Sequence, residues 1–194
     1  MERRESACAN CIIGTMKQFP LVLIVTLWTS LEAFAQVDSG QPVGSTPYDS
    51  YMGPVRQTYG QISGGTPSIG DVRASLRTAN RFRYYFDSAQ PYTPQTPEVT
   101  ESRQQGDCKA KSLWLAKKLG DPNSRYTVGM QSPSSKMAHA WLLWPQGSTW
   151  MILDPTNTTE VIQADRVVGR KLIPRFSYRG GRAYVHSSYS QYIK

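Results

Sequence analysis

Cysteine and histidine are scarce in this chain, with three and two among 194 residues. Cys8 and Cys11 have the C-x-x-C spacing of a metal or redox pair, but one cysteine remains beyond them. A four-ligand zinc site would have to recruit histidines from elsewhere, so the pattern gives little reason to expect one. Acidic residues are short as well, at 14 against 22 Lys and Arg, for a formal charge of +8. No internal repeat is visible, and no nucleic-acid motif accompanies the positive charge, so nucleic acid is not an expected partner. Two readings of the charge stay open: attraction to an anionic cell-envelope polymer or acidic protein, or solubility alone.

A long apolar run is also missing. The longest reaches from Phe19 to Trp28, short of the roughly 20 residues a membrane span needs. Lys17 precedes it, beside a second candidate start at Met16, and Ala33-Phe34-Ala35 closes it with the A-x-A pattern of a cleavage site. This reads as a signal peptide over residues 1–35, with an uncleaved anchor as the alternative. The expectation is export to the periplasm or the outside, with no membrane contact after cleavage. Removing the leader takes Arg3, Arg4, Lys17, Glu2, Glu5 and Glu32 together and leaves the charge at +8. It also takes Cys8 and Cys11. Cys108 is then the lone cysteine, unable to form an intramolecular disulfide, and is either an inert buried thiol or a working one.

Residues 36–67 are rich in Gly, Ser, Pro, Gln and Tyr and poor in aliphatics, which predicts a flexible linker. From Ser68 the pattern changes. Ile69, Val72, Leu76, Ala79 and Phe86 recur at helical spacing with Arg73, Arg77 and Arg81 on another face, predicting a helix to about Asp87. Thr96-Pro97 reads as an N-cap and first helical position, with a short helix through Arg103. Asp107 then caps a helix from Cys108 to Leu119, stopped by Gly120 and Asp121-Pro122. Strands are expected at Arg125–Met130, Ala138–Trp144, Thr149–Leu153, Val161–Gln163, Leu172–Tyr178 and Arg182–Val185. Helices first and strands second give an α+β domain over 68–194, with N-terminal helices packed on an antiparallel sheet.

Three residues stand out chemically. Cys108 sits in the first turn of a capped helix, where N–H groups and the macrodipole favour a thiolate. Taking Pro145–Ser148 as a four-residue loop pairs Trp144 with Thr149 and sets His139 opposite Asp154, within reach of one hydrogen bond. A one-residue slip would separate them onto opposite faces. Taken singly, His139 also reads as a strand-edge histidine and Asp154 as a turn residue in Asp-Pro-Thr-Asn. His186 reads as an exposed strand end.

Gly106-Asp107-Cys108-Lys109-Ala110-Lys111, then Ala138-His139-Ala140-Trp141, then Leu153-Asp154-Pro155-Thr156 resemble the core of the transglutaminase-like superfamily. Asn80–Gln105 is similar to the segment leading to the cysteine in its bacterial cysteine-peptidase branch. The resemblance covers roughly residues 68–186. It implies a papain/transglutaminase-like core and a Cys108–His139–Asp154 triad that works through a thioester on a protein or peptide substrate, with no metal or organic cofactor. Hydrolysis, amine transfer and an inactive binding module using the basic tail (Arg166, Arg170, Lys171, Arg175, Arg179, Arg182) all remain open at this point.

Overall fold

The computed structural model describes residues 40–167 and 171–186. The leader expected over 1–35, with Cys8 and Cys11, lies outside the described residues, as does Arg170. Four α-helices are described: α1 (Gly53–Gln61), α2 (Ile69–Arg81), α3 (Pro97–Arg103) and α4 (Cys108–Leu119). The strands are β1 (Gln41–Val43), β2 (Arg83–Tyr84), β3 (Gln105–Gly106), β4 (Arg125–Met130), β5 (Ala138–Gln146), β6 (Thr149–Leu153), β7 (Ile162–Gln163), β8 (Ile173–Arg179) and β9 (Arg182–Val185). Seven form one antiparallel sheet in the order β1-β9-β8-β4-β5-β6-β7, and β2 pairs with β3 in parallel. The class is α+β, as the element order predicts.

Local chemistry fixes the helix starts. Thr96 accepts from the N–H of Val99 ahead of α3. Asp107 accepts from the N–H groups of Lys109 and Ala110 ahead of α4, and Gly120 closes α4 in the left-handed region at φ 64°. α4 is buried nearly all round, through Leu113, Trp114, Leu115 and Ala116. It packs with α1, α2 and one sheet face, where Ala140, Leu142 and Trp144 of β5 point inward. The alternate residues Trp141 and Leu143 join Ile152, Ala164, Val167 and Leu172 in a second cluster. β5 is therefore buried on both faces.

Three expectations are corrected. The stretch read as a linker over 36–67 is built into the fold from Gln41: Met52, Val55 and Tyr59 are core residues, and β1 pairs with β9. Their spacing of three and four is helical, and burial of these few large side chains outweighs the polar composition around them. The second helix stops at Arg81, not at Asp87. There the N–H of Arg83 turns to the carbonyl of Gln104 and the chain enters β2, which leaves Phe86 exposed.

The third correction concerns the β5–β6 register. The loop has two residues, Gly147-Ser148, and Gln146 pairs with Thr149. Gly147 takes φ 59°, the conformation a two-residue hairpin asks of its first loop residue. Pro145 is tolerated inside β5 because it falls at a position whose N–H would point away from β6. On that other side β4 has already ended, opposite Leu143. The register thus slips by two residues from the expected one. An even slip keeps every side chain on its face.

Candidate active site

Cys108 opens α4 and His139 opens β5, one residue from its start. Asp154 follows the last residue of β6. Continuing the observed register past its last pair, Leu142 with Leu153, sets Trp141 opposite Asp154 and makes His139 its diagonal neighbour, within reach of long side chains. His139 Nε2 lies 2.9 Å from Asp154 Oδ2, with both side chains buried. Cys108 and His139 line one groove of about 340 Å³. All three residues singled out by the sequence are thus brought to one place, although His139 and Asp154 meet diagonally and not face to face.

The surroundings hold the pair. Asp154 Oδ1 accepts from the backbone N–H groups of Thr156, at 3.0 Å, and Asn157, at 3.4 Å. Asn157 Nδ2 donates to Asp154 Oδ2 at 2.7 Å and lies 3.2 Å from His139 Nε2. Trp141 stacks on the imidazole, with ring centroids 5.9 Å apart. Gly129 is the residue paired with His139 across β4–β5. A Cβ there would come within 2.1 Å of the Ile173 carbonyl oxygen and 2.7 Å of the Trp141 ring. No side chain fits at that position, and the glycine lets the stacked indole sit under His139.

The electrostatics follow. Burial pulls the imidazolium down, but hydrogen bonding and charge from Asp154 and Cys108 outweigh it and raise His139 from 6.5 to about 9. Burial pushes Asp154 up, and its bonds to His139, Asn157 and Thr156 win, holding it below the ordinary carboxylate range. With Nε2 turned to the carboxylate, Nδ1 is the nitrogen left for the thiol side.

Asn157 was not singled out by the sequence reading. Its signal is the Asp-Pro-Thr-Asn string, where a side chain three residues past an aspartate can fold back onto it. Lys111 is the second such residue: a lysine on the buried face of α4. Its Nζ donates to the Asn80 carbonyl at 3.2 Å, and Asn80 Nδ2 donates to the Pro155 carbonyl at 3.2 Å. Burial lowers the Lys111 pKa, against the opposing charge of Asp154. This chain of bonds ties the turn after β6 to α2 and α4. His186 is buried, contrary to expectation, with Nε2 2.8 Å from Ser177 Oγ. It has no part in the groove.

Neither a family model nor a curated protein matches the sequence. Solved structures do. Legionella pneumophila LapG aligns with a TM-score of 0.51 at 17% identity, over 69% of this chain and 77% of LapG. Its calcium-bound form aligns at 0.53 and 16% identity, over 70% and 78%. The EGTA-treated form aligns at 0.53 and 17% identity, over 68% and 73%. Among the described residues of the present chain, no three His, Cys, Asp or Glu side chains converge as a metal site. The order of helices and antiparallel strands, with the cysteine heading a buried helix, is thus an α+β fold that this chain shares with LapG.

Proposed function

We propose that this protein is an exported, thiol-dependent acyl-transfer enzyme that hydrolyses a peptide or amide bond of a protein substrate through Cys108, His139 and Asp154. The observation that carries the reading is the buried His139–Asp154 pair, 2.9 Å apart, whose histidine lines a groove together with a cysteine at the first turn of a capped helix. The fold shared with LapG supports it. The A-x-A leader supports export, and among the described residues no helix is long and apolar enough to cross a membrane.

The steps follow from these groups. The Cys108 sulfur attacks the carbonyl carbon, and the carbonyl electron pair moves to oxygen. Asp107 already occupies the N–H groups of Lys109 and Ala110, and its carbonyl takes that of Lys111. The Cys108 N–H is the first-turn donor the cap does not use, and it serves the oxyanion. His139, charged through its carboxylate partner, gives its proton to the leaving amine as the C–N bond breaks, leaving a thioester. Water, deprotonated by His139, then attacks the thioester carbonyl; the C–S bond breaks, and the carboxylate product leaves. Asp154 and Asn157 fix the ring throughout. An amine in place of water would form a crosslink instead.

Iodoacetamide labelling of the folded protein tests the reading. Cys108 should label rapidly well below pH 8, and His139→Ala should remove that advantage. A thiol that labels only on denaturation would sink the enzyme reading. Incubating a cleaved protein with a labelled primary amine separates the two outcomes of the thioester, since incorporation would point to transamidation.

A further inference from the structure

The described chain exposes five large hydrophobic side chains: Tyr84, Tyr85, Phe86, Tyr92 and Met137. Four of them, all but Tyr85, line the groove that holds Cys108 and His139. Exposed apolar residues scattered singly are ordinary, but a cluster at one concave site marks a binding surface. The side chains are 41–67% exposed, and two are held in position. Tyr92 packs on Tyr51 with ring centroids 5.1 Å apart, and Phe86 lies under the Lys109 ammonium, 5.2 Å from its ring centre. The rings come from the chain after α2, and Met137 comes from the loop before β5, so two separate segments supply the apolar lining.

The charge of the groove is one-sided. Among the described residues no Asp or Glu lines it. Lys109 is paired with Asp107. Lys136 is exposed and has no carboxylate partner among the described residues, so its charge is available to a ligand.

Resting on the acyl-transfer reading, we propose that the groove is a substrate subsite for an extended peptide segment carrying a bulky apolar side chain beside the scissile bond and a carboxylate within reach of Lys136. The apolar side chain enters between Tyr84, Phe86, Tyr92 and Met137 and removes these surfaces from water. The acidic side chain meets the unpaired ammonium at the rim, where it sets register and excludes basic segments.

Protection of Cys108 from iodoacetamide tests this without a known substrate. Four acetylated pentapeptide amides, Gly-X-Gly-Z-Gly, combine Phe or Ala at X with Asp or Lys at Z. At low salt the Phe/Asp peptide should halve the labelling rate at a concentration about tenfold below that of the Ala/Asp peptide, the difference expected for half-burying one aromatic ring, and the Lys peptides should each protect less than their Asp counterparts. Tyr92→Ala with Met137→Ala should collapse the Phe-over-Ala ratio, and Lys136→Glu should reverse the Asp-over-Lys ratio. Each variant is normalised to its own labelling without peptide. A flat ranking of the four peptides, or better protection by the Lys peptides, overturns the proposal. A Cys108 that labels no faster than a simple thiol, with the ranking intact, would instead overturn the catalytic reading and keep the groove as a peptide site.

Discussion

The two histidines of this chain end up in similar burial and different chemistry. His139 is 8% exposed and His186 is 4% exposed, and each sits at the end of a strand. One ring nitrogen of each is held, at 2.9 and 2.8 Å. The partner of His139 is a carboxylate, itself held by two backbone N–H groups and an amide side chain. His186 Nε2 meets the hydroxyl of Ser177, which is fully buried within β8. A neutral partner satisfies a buried imidazole, whereas a charged one also selects its protonated form. Burial identifies neither as functional. The carboxylate partner and the groove beside it are what set His139 apart.

The sharpest way to break this comparison is to remove each ring. His139→Ala should lower turnover by roughly 10²–10⁴-fold, the usual contribution of a positioned acid–base group. His186→Ala should leave Cys108 labelling within about twofold and cost stability, about 1–3 kcal/mol for the unsatisfied Ser177 hydroxyl, read as a lower melting temperature. Equal losses of activity in both variants would erase the distinction.

Asp154→Asn tests the charge alone. The His139 titration, followed by NMR, should fall from about 9 by roughly 1–3 units. The same pair governs stability against pH. The folded pKa of His139 lies above its ordinary 6.5, so its contribution is complete below 6.5 and is lost as pH rises through about 9. The melting temperature should fall across that window, and the asparagine variant should flatten the fall.

Asn157→Ala should slow turnover about tenfold by releasing the ring and carboxylate it bridges, an amount in line with one hydrogen bond to a charged group. Gly147→Ala should do least. It forces a left-handed residue to carry a Cβ at about 1–2 kcal/mol, a shift of a few degrees in melting temperature with labelling unchanged. A marked loss of labelling there would mean that hairpin strain reaches the site.

What the sequence made legible was local. Asp107 with Gly120 bounds α4, and Thr96-Pro97 with Gln104 bounds α3, because caps act within one turn of the residues they terminate. Alternation located β4, β6 and β9 to the residue. What it hid depends on partners far along the chain. β2 exists because Arg83 meets Gln105, 22 residues on, and no helical or strand period announces that pairing. The apolar groove rim lies in this same stretch, where Phe86 looked like one more residue of a helix face. The approach of His139 to Asp154 was expected through a register wrong by two residues, and the two side chains still meet because parity, and not the exact pairing, decides which side chains share a face. Asn157 and Lys111 were hidden because a polar residue gains its role from burial, and burial is set by the whole fold.

The pairing of β1 with β9 has a consequence for how the chain could be recut. Gln41 stands opposite Val185, so the first and last described strands are nearest neighbours, roughly 5 Å apart. Gly147, at the tip of the β5–β6 hairpin, is eight residues from His139, on the order of 27 Å along an extended strand. A circular permutant that begins at Ser148, ends at Gly147 and joins the old ends across β1 and β9 by a short linker should keep the same sheet order and the same groove. Its thiol chemistry would then show that the site belongs to the architecture and not to the order in which the strands are synthesised.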